Sequence, residues 1–356
     1  MLAQLRHFAM LSAFAVIMIS ANGASASASS PDYKLASTLH LPGSTRWDFI
    51  AFDPDHRRLY ITRGESVDVL DIATQKIAGS ITDLNGTHGI ALASALNVGF
   101  VSNGKANNTT IFDLTSLQPI ATIPTGNKPD AIVYDPATQL AYVADADSDD
   151  VTVIDAKKKE VSGTIKLDGD PEFMALDGAG HLYVNLENKS QIAVVDTKTL
   201  KVLTNYNLAP NCEGPTGLSI DVSKNRLFAS CANKVMLVVD ATAGKIIDTL
   251  PIGDHSDATL FDPATKLVFS SNGDGTLTVI GASRADHYSV LQTAKTMTTA
   301  RTMALDPATH QIYLVAAETE GFDPPNEKHP TPRPHIKPDT FMVLTVTPTT
   351  KNKTGH

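Results

Sequence analysis

Four carboxylates and one guanidinium recur at matched places along this chain. Asp48, Asp130, Glu172, Asp257 and Arg301 each stand five residues before a turn aspartate, respectively Asp53, Asp135, Asp177, Asp262 and Asp306. The same offset gives Gly89 before Ser94 and Thr216 before Asp221. Carboxylates gathered at one place suit a hard cation such as Ca²⁺ or Mg²⁺. His88, beside Gly89, and His255, two residues before Asp257, would add a nitrogen for Zn²⁺ or Mn²⁺, or a general base. Arg301 would stabilise an oxyanion. Like charges about 8 Å apart repel by roughly 2 kcal/mol per pair at an effective dielectric near 20. Such a ring therefore needs water, a cation or a protonated carboxyl. The plainer alternative is that the acids cap strand ends in a wet channel.

The elements that must gather these residues repeat. DFIAFDPDHRRLYIT (48–62), AIVYDPATQLAYVAD (131–145), ATLFDPATKLVFSS (258–271) and TMALDPATHQIYLVA (302–316) share an apolar strand, Asp-Pro and an aromatic-rich strand. GIALASALNVGFVSN (89–103), FMALDGAGHLYVN (173–185) and GLSIDVSKNRLFAS (217–230) are weaker copies. The turn residues are spaced by 41, 41, 42, 44, 41 and 44, the period of four-stranded propeller blades. Third strands end in Asp71, Asp113, Asp155, Asp196 and Asp240, whose side chains are expected to cap the next turn. Runs rich in Val, Ile and Thr favour strands throughout. The last unit stops after FMVLTV (341–346) without a fourth strand, and YKLASTLHL (33–41) is a spare one. The expected fold is all-β: a single seven-bladed β-propeller over 33–347, its N-terminal strand closing the last blade.

At YVADADSDDVTVID (142–155) and FSSNGDGTLTVI (269–280) the chain resembles the YVTN-repeat, or YncE-like, propellers, over about residues 33–346. It departs from the pattern at Ser94 and Gly281. The resemblance implies a secreted bacterial propeller with no established reaction. Lactonase and streptogramin-lyase propellers share the fold, which does not fix chemistry.

In a propeller the start of each inner strand and the loop after the second strand lie on one face, where function collects. That places Arg63, Asn103, Asp145, Asn185, Glu187, Asn233, Asn272 and Glu318 on a polar rim, with Glu213 near the ring. Asn103-Gly104 and Asn272-Gly273 also read as turn geometry, and Asn185 and Glu187 as a solvated strand end. Trp47 either packs the first blade on the last or offers a stacking platform. Asp145–Asp150 lacks the glycine and terminal glutamate of an EF-hand and is discounted as a calcium loop. Cys212 and Cys231 flank antiparallel neighbours of blade 5, so a disulfide is expected. Residues 318–339 hold six prolines and form an extended insertion in blade 7, a lid or docking arm or a tolerated loop; His329 and His335 lie in it.

Residues 1–28 carry a basic start, an apolar run from Phe8 to Ile19 and small-residue cleavage patterns, so they read as a signal peptide. A periplasmic or secreted monomer is expected, without a transmembrane span, and 348–356 is a polar tail. Net charge −9 opposes nucleic acid as partner. The G-x-S-x-G elbow, P-loop, H-E-x-x-H and C-x-x-C-H patterns are absent. Two functions follow: binding of a protein, glycan or small ligand at the acidic mouth, or metal-dependent hydrolysis or elimination there.

Overall fold

The structure is a computed structural model that describes residues 32–43, 46–284, 286–324 and 334–349. The expected signal peptide at 1–28, the centre of the insertion with His329, and the chain from 350 lie outside these residues. The chain forms seven four-stranded antiparallel sheets, the blades of a propeller. Inner strands are Ile50–Asp53, Thr87–Ala93, Pro129–Asp135, Pro171–Leu176, Pro215–Asp221, Ser256–Asp262 and Met303–Leu305. Blades 1 to 6 then run outward in chain order, whereas blade 7 runs through Ile312–Ala316 and Met342–Thr349 to the N-terminal strand Asp32–His40.

Side-chain character follows this radial order. Second strands are almost wholly buried, as in Leu140–Asp145, whereas the outermost strand Glu160–Lys166 is mostly exposed. The core lies between blades, where aromatics interlock. Tyr60 meets Phe112 at 5.8 Å between ring centroids, and Phe52 stacks on Tyr313 at 5.5 Å across the junction of blades 1 and 7. Full burial of each such ring stabilises by roughly 1.5–3 kcal/mol.

The strand Asp32–His40 pairs antiparallel with Met342–Thr349, from Asp32 opposite Thr349 to His40 opposite Met342, and so completes blade 7. Gln292 of blade 6 accepts from Tyr33 N and donates to Tyr33 O, both at 2.8 Å, which ties the closing strand to the next blade as well.

The expected turn caps form. Asp71, Asp113, Asp155, Asp196 and Asp240 accept backbone N–H bonds from Thr74, Ser116, Lys158, Thr199 and Ala243 at 2.6–2.9 Å. These bonds hold their carboxyls below the usual range. Within the insertion, Thr319–Phe322 pairs with Pro334–Ile336 as a two-stranded ribbon.

Candidate functional site

In five blades the ring residue sits in an irregularity of its inner strand, whereas Asp48 and Arg301 stand just before the inner strands of blades 1 and 7. Pro129 pairs with Asp145, but the next pair is Ile132 with Val143, so Asp130 falls in a bulge. The same break holds Glu172, Thr216 and Asp257 in blades 4, 5 and 6. A bulge re-aims a side chain out of the pleat. In blade 2 the break lies between Thr87 and Ile90, with Thr87 opposite Asn103. Thr87 thus matches Pro129, and His88 rather than Gly89 matches Asp130. The count back from Ser94 stopped one residue short because the blade 2 strand ends at Ala93 and Ser94 opens a short 3₁₀ turn.

With that correction six of the seven blades present an ionisable group, and charges alternate around most of the ring. Arg301 lies 2.7 Å from Asp257 and 3.6 Å from Asp48. His88 Nδ1 is 2.6 Å from Asp48 and 3.8 Å from Asp130. Asp257, Arg301, Asp48, His88 and Asp130 therefore run acid, base, acid, base, acid. Alternation then fails: blade 4 adds Glu172 and blade 5 only Thr216. Four acids face one guanidinium and one imidazole, so with every acid ionised two negative charges are left even when His88 is protonated.

Little water reaches the aspartates of the ring, whereas Arg301 stays half exposed. The Asp48, Asp130 and Asp257 side chains keep 16, 14 and 14% of their surface. Burial, then the Asp48 charge, pushes Asp130 up to about 7, against relief from His88. Burial and the charges of Asp130 and Glu187 hold Glu172 well above its usual range. Burial raises Asp257 although Arg301 opposes it. Burial pulls His88 down, but the Asp48 hydrogen bond and the Asp130 charge outweigh it and the net shift is upward. Asp257 chiefly holds Arg301 above its ordinary value.

The floor of this cup is aromatic. Phe49 and Phe173, directly after Asp48 and Glu172, stack with centroids 4.8 Å apart. Blades 1 and 4 are not neighbours, so the rings meet across the channel. Elsewhere along the inner strands the channel widens into a cavity of about 380 Å³ lined by Ala91, Ile132, Met174, Leu218 and Leu260. The sequence signal for the floor was an aromatic after each of two ring acids; its meeting across the axis depends on ring closure.

The other candidates are placed as follows. Asn185 is fully buried and donates to the Thr216 and Gly217 carbonyls at 2.7 and 3.2 Å, so it buttresses the wall. Asn103 and Asn272 are buried within their blades and donate to third-strand side chains. Trp47 packs on Phe341 at 5.4 Å, joining blades 1 and 7, and Arg63 lies over the same Phe341 ring at 3.8 Å. His255 is exposed and pairs with Asp254 at 3.9 Å. Glu318 pairs with Lys337 at the base of the insertion at 2.9 Å. Glu187 approaches Gly214, beside exposed Glu213, and adds to the field on Glu172. Cys212 and Cys231 form the expected disulfide. A disulfide fits an extracellular or periplasmic protein. Among the described residues no helix is long and apolar enough to cross a membrane.

One grouping has metal-ligand geometry: atoms of Asp48, His88 and Asp130 lie within 4.8 Å of one another. Two carboxylate oxygens and an imidazole nitrogen are a donor set for Zn²⁺ or Mn²⁺. Fold and site together define a seven-bladed β-propeller with a charged ring at one end of its channel. No protein-family model matches the chain, and no curated protein matches it. Among solved structures it is similar to Kuenenia stuttgartiensis hydrazine synthase, with a TM-score of 0.68 and 17% identity over 83% of this chain and 97% of that one. At that identity the likeness shows the propeller fold alone.

Proposed function

We propose that this chain is a secreted, YncE-like binding propeller whose ligand docks on the charged mouth through a divalent cation held by Asp48, His88 and Asp130. The observation that carries the reading is the convergence of those three side chains within 4.8 Å in a ring short of two positive charges. A divalent cation would balance that deficit, and a ligand oxygen from a small molecule, glycan or protein would complete its coordination. The leader at 1–28 and the disulfide support an oxidising compartment.

The test is elemental analysis with calorimetric titration of Zn²⁺ and Mn²⁺ into the purified chain. One equivalent is expected, weakened at least about tenfold by Asp48→Asn or His88→Ala. Absence of any uptake refutes the reading. A second reading, metal-assisted hydrolysis or elimination, is favoured by Arg301, a guanidinium 2.7 Å from Asp257 at the same mouth and able to stabilise an oxyanion. Lactone and ester turnover that Asp130→Asn abolishes would select it.

A further inference from the structure

We propose a second cation site inside blade 3, where the Oδ1 atoms of Asp145 and Asp150 hold a hard divalent cation such as Ca²⁺ beside the position that two sister blades give to an amide NH₂. The last residue of the second strand pairs with the first of the third: Asn103 with Asn108 in blade 2, Asn272 with Thr276 in blade 6, and Asp145 with Asp150 in blade 3. In blade 2, Asn103 Nδ2 donates to Asn108 Oδ1 at 2.8 Å and Thr110 Oγ1 at 2.9 Å. In blade 6, Asn272 Nδ2 donates to Thr276 Oγ1 and Thr278 Oγ1, both at 3.0 Å. Each hub is thus an electropositive NH₂ between oxygens.

Blade 3 keeps the threonine and loses the NH₂. Thr152 donates to Asp145 Oδ2 through Oγ1 at 2.6 Å and through its backbone N at 3.1 Å. Asp145 is fully buried, and Asp150 is 4% exposed. Their Oδ1 atoms are buried and accept no hydrogen bond. Lys166 covers Asp150 Oδ2. Two carboxylates against one ammonium leave a negative charge that is buried and unbalanced. Burial, eased by Thr152 and reinforced by the Asp150 charge, pushes Asp145 up to about 7.

The surroundings leave room. A Cβ on Gly126 would stand 2.8 Å from both Asp150 Oδ1 and Asp145 Cβ, so only glycine keeps that side open. A cavity of about 320 Å³ lies alongside, lined by Gly126, Asp150, Thr152 and Lys166. All the donors are oxygens, which selects a hard cation over zinc. This site shares no ligand with the mouth.

The variant Asp145→Asn/Asp150→Asn rebuilds the blade 2 hub and should fold without metal. Calcium is titrated calorimetrically into the full chain carrying Asp48→Asn/Asp130→Asn, which silences the mouth, and melting is followed in Ca²⁺ or EDTA. The mouth variant is expected to take up one equivalent of Ca²⁺ and to melt higher with it. Adding Asp145→Asn/Asp150→Asn is expected to abolish both effects. Calcium uptake that persists in the combined variant overturns the proposal. So does a mouth variant that ignores Ca²⁺ and is instead stabilised by acidification through pH 7, because a shared proton then occupies the hub.

Discussion

The charged mouth and the cavity along the central channel share most of their inner strands and have opposite chemistry. At the mouth, bulge residues present His88, Asp130, Glu172 and Asp257, and the residues leading into the inner strands of blades 1 and 7 present Asp48 and Arg301. In the regular pleat beyond, the same strands present Ile132, Met174, Leu218 and Leu260 around an apolar cavity. The stacked Phe49–Phe173 pair stands against the charged ring. One residue of irregular pairing therefore separates packing from reactivity. Along the inner strands the regular register buries apolar side chains that hold the blades, while bulges and strand entries carry the charges of the ring.

The largest expected effect comes from removing the floor. Phe173→Ala should cost about 3 kcal/mol by urea unfolding, because the partner ring of Phe49 loses its stack and a void opens. A loss under about 1 kcal/mol would break the contrast, since the two parts would then not be separated by a packed element.

A smaller effect tests the cost of the ring itself. Folded Asp130 stays protonated up to about pH 7, whereas an unfolded aspartate does so only below about pH 4. Between these values the folded state holds the extra proton, so its stability falls as pH rises through the window. In EDTA, Asp130→Asn should raise the melting temperature at pH 8 by roughly 2–4 °C, and the gain should fade toward pH 4. An equal gain at both pH values would show that charge is not the cause.

The smallest change in stability should come from Gly104→Ala. The added Cβ would lie 2.7 Å from His88 Cδ2 and 2.9 Å from Nε2, so the imidazole must leave its place against Asp48. Unfolding free energy should move by less than about 1 kcal/mol while Zn²⁺ affinity falls about tenfold. Unaltered affinity would mean that the position of His88 does not matter to the mouth.

The fold was legible because its signals are local and repeated. Turn aspartates cap backbone N–H groups at a constant period, and a missing fourth strand can be counted. The ring was legible in the blades with a turn aspartate as marker. In blade 2 the Ala93-Ser94 ending carries no such marker, and the count stopped one residue short of His88. Asn103, Asn185 and Asn272 read as rim residues because a strand end offers two faces and the sequence does not say which is wet. Asp145–Asp150 was discounted as a loop motif, correctly for an EF-hand. Its setting emerges only when blade 3 is laid over blades 2 and 6.

The closing strand also sets a timetable. Asp32–His40 leaves the ribosome about 300 residues ahead of its partner Met342–Thr349. At ordinary synthesis rates of about 5–20 residues per second it waits roughly 15–60 s with an unsatisfied edge. All but three of its nine residues are exposed even in the finished blade, and Lys34 is among them. A strand so polar is a poor template for stray pairing while it waits. Ring closure is thus a late event in the life of each molecule, and the latch is made of residues that can tolerate the delay.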